Sequence, residues 1–318
     1  MTNKEAISQI SEHFDINLIY AQKVFFLAGK EDFLKNSEDI IKQKAKPFVK
    51  WVGGKRQLLK QFRDGNFYPP EKFDAKKNAY FEPFVGGGAV FFDLLPEKAF
   101  LSDLNFELVT TYRVIRDNVE ALIASLKKHK YNKEYFLQIR SKNPKELPDI
   151  SAASRFIYLN RTGFNGMYRV NKAGIFNIPF GKYSNPLICD EVNLRKVSEA
   201  LRGVQIEHED YKAVLKKAKK GDFIYFDPPY YPLSKTASFT AYTNEGFLDK
   251  EQTELRDVFV ELHKRGCFVM LSNSDAPFIN KIYSGIKGVN IHKVQAGRAI
   301  NSKASGRGKV SEVLITNY

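Results

Sequence analysis

Apolar positions along the chain fall into two regimes. Short runs, apolar but for Glu82, at 79–82, 99–101, 223–226 and 267–271 each stop at a proline, an acid or a cluster of Ser and Asn, and such runs predict buried strands. A further strand is predicted over 203–209, and a pair of strands over 290–294 and 313–318. Between them apolar residues recur at three- and four-residue spacing, which predicts helices over 89–95, 105–116, 119–129, 133–140, 151–160 and 249–265. Strands alternating with helices point to an α/β fold. Upstream, Ile7, Ile10 and Phe14, then Val24, Phe25 and Leu27, then Phe33, Leu34, Ile40 and Ile41 keep helical spacing, with Gly29 as a stop. Residues 1–46 are therefore expected to form a separate helical extension that packs on the rest. The polar stretch 143–148 is expected to be a hinge between subdomains.

The run Phe223, Ile224, Tyr225, Phe226 breaks into Asp227, Pro228, Pro229 and Tyr230. Prolines cannot extend a ladder, so the acid and the tyrosine are presented at the strand's carboxyl edge, where open α/β sheets place their ligands. This cluster suits alkylation of an amino group conjugated to a ring. Such a nitrogen is a poor nucleophile because its lone pair is delocalised. Two acceptors for its N–H groups, the Asp227 carboxylate and the Pro228 carbonyl, would return electron density to it. Tyr230 would stack on the ring and hold it in line with a methyl donor. Four residues alone are equally a strand stop and a turn, so the remaining chain decides.

Two glycine-bearing turns bear on the cofactor. Lys50, Trp51, Val52, Gly53, Gly54, Lys55 and Arg56 read as a loop opening a helix, where backbone N–H groups and a lysine can hold an anionic group. Trp51, the only tryptophan, is equally a core residue. The strand over 79–82 ends in Glu82 and Pro83, and Phe84, Val85, Gly86, Gly87 and Gly88 form a tight turn before the next helix. Its spacing differs from GxGxxG, which disfavours a nicotinamide cofactor. Asp103 follows at the end of the next strand, a place where an acid commonly accepts hydrogen bonds from ribose hydroxyls, so a nucleoside-containing cofactor is favoured. Asp210 is another acid at a strand edge.

Charge supplies the partner. Fifty Lys and Arg against 36 Asp and Glu leave +14, which points to a polyanion. The segment 160–183 localises that tendency: Arg161, Phe164, Asn165, Met167, Tyr168, Arg169, Asn171, Lys172, Asn177, Lys182 and Tyr183 interleave with Gly163, Gly166, Gly174 and Gly181. Arg and Asn pair bidentately with guanine and adenine edges, and aromatics wedge or stack, so DNA contact is a better reading than a polar surface loop. The loop between the last two strands carries Arg298, Lys303, Arg307 and Lys309, charged for phosphate, and 236–243 is expected to order over substrate. Cys189 and Cys267 without CxxC spacing, with five scattered histidines, argue against zinc and against a disulfide framework, and no metal is expected. No apolar run reaches the roughly 18 residues of a membrane span and no signal-peptide pattern is seen, so a cytoplasmic protein is expected.

Taken in order, the stretches 50–55, 81–88, 160–183 and 227–230 resemble the Dam-type, D12 class, alpha-group DNA adenine N6-methyltransferases, especially the restriction-modification members that act on GATC. The likeness covers about residues 46–318 and includes 233–247 and 302–318. It implies a Rossmann-like, S-adenosylmethionine-dependent methyltransferase sheet of seven strands with an inserted, mainly helical target-recognition domain. The implied division is an N-terminal helical extension over 1–46, catalytic parts over 47–120 and 191–318, and the recognition domain over 121–190. By position it puts Trp51, Lys55, Glu82, Pro83, Phe84, Gly86, Gly88, Asp103, Asp210 and Asp227 on the cofactor side, with Asp227, Pro228, Pro229 and Tyr230 as the catalytic set. Arg169 stands where the family reads guanine, and Met167 and Pro179 where apolar contacts read other bases. Phe164 and Asn165 stand where the duplex is wedged open as adenine is extruded. Lys50, Asn171, Lys182, Tyr183, Arg298 and Arg307 complete the expected DNA contacts. The first 46 residues have no counterpart in the usual pattern, and Lys182 replaces a common arginine, keeping charge but losing the planar fork.

The resemblance thus implies methyl transfer from S-adenosylmethionine to adenine N6 within GATC of double-stranded DNA, by base flipping and direct transfer. It implies a monomer, bacterial or phage-encoded, paired with a cognate restriction endonuclease. A cytosine N4 methyltransferase uses a similar cluster and differs in its product. A catalytically silent DNA-binding regulator on the same fold would bind S-adenosylmethionine without turnover.

Overall fold

The computed structural model describes residues 2–14, 21, 25, 34, 38, 44–171, 174–233, 247–297 and 309–318. Its centre is one sheet of seven strands: β1 (Tyr80–Glu82), β2 (Ala99–Ser102), β3 (Gln205–Glu207), β4 (Phe223–Phe226), β5 (Phe268–Ser274), β6 (Asn290–Gly297) and β7 (Lys309–Thr316). The order across the sheet is β3-β2-β1-β4-β5-β7-β6. Strands β3 to β5 of that order are parallel, and β7 runs antiparallel between β5 and β6. The chain winds outward from β1 through β2 to β3, then returns to lay β4 on the other side of β1. The ends of β1 and β4 therefore flank the switch point at which such sheets bind ligands. This is the seven-stranded α/β sheet that the resemblance implied.

Ten helices are assigned among the described residues: α1 (Asn3–Phe14), α2 (Leu59–Asp64), α3 (Ala89–Leu94), α4 (Phe106–Leu126), α5 (Lys133–Ser141), α6 (Asp149–Thr162), α7 (Glu191–Ala200), α8 (Val214–Lys217), α9 (Asp249–Lys264) and α10 (Pro277–Tyr283). Side chains alternate across a strand, and the core divides accordingly. Tyr80, Phe223, Tyr225, Met270 and Leu314 face the layer built from α4 and α7. Phe81, Ile224, Phe226, Val269, Leu271, Val313 and Ile315 face α9 and α10. Being covered on both faces is why β4 reads as four consecutive large apolar residues, all buried.

Two expectations are refined. The helices predicted over 105–116 and 119–129 form one element, α4, interrupted only by non-helical backbone at Asn118 (φ −140°, ψ 38°). Strand β5 does not stop at Leu271: Ser272, Asn273 and Ser274 continue it, paired with Leu314, Val313 and Glu312 of β7. Their polar side chains are buried inside the sheet. The whole stretch from α4 to α7 is the connection between β2 and β3, which are adjacent, with Phe100 opposite Gln205. A separate small core of Phe136, Ile139, Tyr158, Leu159, Phe176 and Ile178 lies under the 160–183 segment. Of the extension, α1 packs Ala6 and Ile10 against Ala21, Phe25 and Leu95.

Candidate active site

At the carboxyl end of β4, Asp227 meets Lys55, whose Nζ lies 2.8 Å from Asp227 Oδ1. Lys55 is 4% exposed and also donates to the Gly53 carbonyl. Burial pushes the Asp227 carboxyl up from the ordinary range, and the Lys55 charge and hydrogen bond oppose that rise. The same Nζ sits 4.9 Å from the centre of the Tyr230 ring. Tyr230 donates its hydroxyl to Glu312 Oε2 on β7 at 2.9 Å, which ties the end of its side chain to the sheet.

The backbone after Asp227 is held by buried amides. Gln252 of α9 donates to the Pro229 carbonyl at 2.9 Å, and Asn273 donates to Gln252 Oε1 at 3.0 Å. Asn273 Oδ1 accepts the Tyr231 N–H at 3.0 Å, and the Ser274 hydroxyl donates to the Tyr231 carbonyl at 2.7 Å. Both amide side chains are fully buried. Pro229 O is thus satisfied internally, whereas among the described residues none donates to Pro228 O.

Beside this cluster, β1 ends in Glu82, which accepts the Tyr80 hydroxyl at 2.8 Å and the Phe91 N–H at 3.1 Å. Burial raises its carboxyl to about 8, with the Asp227 charge adding to the rise. Pro83 is buried and turns the chain into the glycine loop. Gly86 adopts φ +46°, and a Cβ there would stand 2.6 Å from Trp51 Nε1: the indole lies over the turn because this position has no side chain. Gly88, at φ +67°, faces the Tyr112 hydroxyl, which donates to the Gly86 carbonyl at 3.1 Å. Asp103 accepts the Gly86 N–H at 3.1 Å and the Asn105 N–H at 2.9 Å, and burial raises its carboxyl. Phe84 stacks on Tyr211 at 5.3 Å, and the neighbouring Asp210 caps the turn by accepting the Lys212 N–H at 2.8 Å.

Trp51, Lys55, Glu82, Gly86, Asp103, Asp227 and Tyr230 therefore form one connected group around the switch point, with Phe84 and Asp210 joined to it through Tyr211. Its donor set fits S-adenosylmethionine: an acid at the end of β2 for ribose hydroxyls, aromatic faces for the purine, and a buried ammonium for the carboxylate.

The segment 160–183 lies next to this group. Asn160 is buried, accepts the Lys50 N–H at 2.9 Å, and donates to the carbonyls of Lys50 (2.9 Å) and Gly166 (2.8 Å). Lys50 Nζ lies 4.9 Å over the Tyr183 ring, whose hydroxyl donates to Gly163 O at 3.1 Å. At the tip, Phe164 is 48% exposed and Asn165 is exposed in the left-handed region (φ 55°). Arg169 is exposed, its Nε donating to Asn177 Oδ1 at 2.8 Å, and Pro179 and Lys182 are exposed as well. Met167 is half-buried on the small core. Asn171 closes the turn with Ile175, accepting its N–H at 3.0 Å through Oδ1. Lys172, Arg298, Lys303, Arg307 and the segment 236–243 lie outside the described residues.

Sequence reasoning missed the anchors Gln252, Asn160 and Glu312. Gln252 had a signal: it falls in the buried stripe of α9 with Leu255, Phe259 and Leu262, a polar residue at a core position. Glu312 had none, because its partner Tyr230 is 82 residues away.

Residues 51–300 match the family described as D12 class N6 adenine-specific DNA methyltransferase. A type II methyltransferase of Lactococcus lactis subsp. cremoris is 45% identical over 281 residues, covering 86% of this chain and 95% of the relative. A type II methyltransferase of Methanocaldococcus jannaschii is 42% identical over 291 residues, 86% of this chain and 99% of the relative. The DNA adenine methylase of Escherichia coli K12 is 32% identical over 276 residues, 86% and 95%. With a family match spanning the glycine turn, the 160–183 segment and the Asp227 cluster alike, the chain belongs to the D12 class N6 adenine-specific DNA methyltransferases.

Proposed function

We propose that this methyltransferase modifies adenine N6 within GATC in double-stranded DNA, using S-adenosylmethionine, after extruding the base from the duplex. The observation that carries the chemistry is the pair of acceptors at the end of β4: the Asp227 carboxylate beside Lys55 and the Pro228 carbonyl, on a backbone fixed by Gln252 and Asn273. The two N–H groups of an adenine amine match two such acceptors, and Tyr230, held by Glu312, supplies the face for its ring. A stacked adenine does not present N6 to an enclosed site, so extrusion is required. The exposed Phe164 and Asn165 at the tip of the recognition turn support a wedge that fills the gap.

Trp51, Lys55, Phe84, Gly86, Asp103 and Asp210 would hold S-adenosylmethionine, with Lys55 and Asp227 meeting at its boundary with the base. When bound, it supplies an electrophilic methyl group on a sulfonium. Asp227 draws density toward N6 without removing a proton first, because the amino proton becomes acidic only as the new N–C bond forms; the proton then leaves through the carboxylate. Arg169 is the proposed guanine reader, with Met167 and Pro179 as apolar contacts. Lys50, Asn171, Lys182 and Tyr183, with Arg298 and Arg307, are the proposed backbone and groove contacts. The assignment of GATC rests on the resemblance of 160–183 to the members that act there. A monomer serves such a palindrome by treating each strand in turn. Two of the relatives carry the name type II methyltransferase, which supports pairing with a restriction endonuclease of the same specificity.

The test is transfer of labelled methyl to two duplexes that differ only in GATC against a scrambled GTAC, with the product base identified. N6-methyladenine in the first alone is expected. Label in both removes the GATC assignment, N4-methylcytosine transfers the protein to cytosine chemistry, and binding of S-adenosylmethionine without any product makes it a silent DNA binder.

A further inference from the structure

Tyr168 lies between Met167 and Arg169, in the middle of the proposed base-reading stretch, yet its contacts run inward. Its ring stacks on Trp51, 6.0 Å between centroids and 20° between planes, and packs on Phe156 (5.1 Å) and Phe176 (5.7 Å). Its hydroxyl donates to Glu107 Oε1 at 2.9 Å. The other oxygen of Glu107 takes Arg155 Nη1 at 2.5 Å, and Arg155 also donates to the carbonyls of Ile139 (3.1 Å) and Arg140 (3.0 Å). Glu107 and Arg155 are both buried.

Two of these contacts, with Trp51 and with Glu107, lead to the cofactor crevice. Trp51 covers Gly86, and Glu107 occupies the first turn of α4, whose N-cap Asn105 shares the Asp103 carboxylate with the Gly86 N–H. The contacts close into a ring through Gly86, Asp103, Asn105, Glu107, Tyr168 and Trp51. Asn160 adds a second tie by joining Lys50, the neighbour of Trp51, to Gly166 in the recognition turn. Close-packed groups of this kind pass a displacement on rather than absorb it.

We propose that Tyr168 is a positioning residue that couples the two sites: engagement of Arg169 and Met167 by the cognate duplex sets the Tyr168 ring, which sets Trp51 over the glycine turn and tightens the hold on the cofactor. This rests on the reading of 160–183 as the recognition segment. Linkage makes the coupling reciprocal, so the cofactor strengthens cognate DNA binding by the same factor. Sequence specificity then acts on the cofactor site as well as on DNA affinity.

The experiment measures the Kd of S-adenosylhomocysteine by calorimetry for the wild type, Tyr168→Phe and Tyr168→Leu, each with a saturating GATC duplex and with a scrambled one. The wild type is expected to bind the probe at least about fivefold more tightly beside GATC. Tyr168→Phe, which loses only the bond to Glu107, is expected to lower that ratio, and Tyr168→Leu to bring it to about one, with probe affinity beside the scrambled duplex changed by less than about threefold. A ratio unchanged in Tyr168→Phe overturns the proposal even should the leucine variant fail to fold. A wild type that methylates GATC with a ratio of one overturns it and leaves the proposed function standing, whereas a wild type that methylates neither duplex overturns that function itself.

Discussion

At the carboxyl end of β4 the proposed reactive groups hang from a strand whose four residues are all buried, whereas among its described residues the 160–183 segment has no ladder of its own beyond two isolated bridges, Gly163 with Phe180 and Val170 with Phe176. The first region takes its geometry from the sheet and adds short amide clamps. The second is held by side chains of the helix before it: Asn160 reaches Lys50 and Gly166, and Arg161 donates to the Phe48 carbonyl at 2.8 Å. A reaction needs its acceptors in one place for every substrate, and buried strands supply that. The base reading proposed for the second region needs exposed tips with anchored roots, and the tip residues Phe164, Asn165 and Arg169 are exposed over a buried Asn160.

Four substitutions break or sharpen this contrast. Asp227→Ala removes an acceptor from the rigid pole and is expected to lower the methylation rate by about a thousandfold, or about 4 kcal/mol, with DNA affinity within about threefold of wild type. Single-turnover kinetics and fluorescence anisotropy check both halves, and retained turnover in the purified variant would falsify the assignment. Arg155→Met cuts the root of the second region. It leaves the buried Glu107 carboxylate without its cation, and a loss of about 3–5 kcal/mol of unfolding free energy is expected in urea titrations. Arg169→Ala touches only the tip. Its cost is expected at one base pair, about 1–3 kcal/mol of lost discrimination, seen by comparing duplexes with each position of GATC replaced in turn.

Glu82→Gln concerns pH. The Glu82 carboxyl is raised by burial to about 8, so the folded state holds a proton that the unfolded chain releases near 4.5. The stability this group contributes is full below about 4.5 and is lost as pH rises through about 8, at up to about 1.4 kcal/mol per pH unit. The glutamine variant lacks that decline. Melting curves should run together near pH 5 and separate by pH 8, with the variant more stable; parallel curves would show that Glu82 ionises freely in the folded protein.

The same contrast explains what was legible in the sequence. Strands β1, β4 and β5 announce themselves because burial on both faces favours short apolar runs, β2 shows as a run although one of its faces is only half-buried, and Asp227 to Tyr230 stand out because two prolines end one of these runs. The polar end of β5 was invisible as strand, since Ser272, Asn273 and Ser274 look like a loop until β7 is seen to pair with them. The exposed tip of the 160–183 segment was legible as composition, an uncommon density of Arg, Asn and aromatics. Its roots were not: Asn160 and Lys50 are 110 residues apart, and nothing local marks either as the other's partner.

Helices α4 to α7 and the 160–183 segment lie within the connection from β2 to β3, and these two strands are neighbours at the edge of the sheet. The chain leaves one strand and returns within one strand spacing, about 5 Å away. Closing such an excursion depends weakly on its length, about 0.6 kcal/mol for each doubling. The sheet and its chemistry therefore tolerate changes in the length of this excursion at little entropic cost, provided that the partners of Trp51 and Lys50 within it are kept.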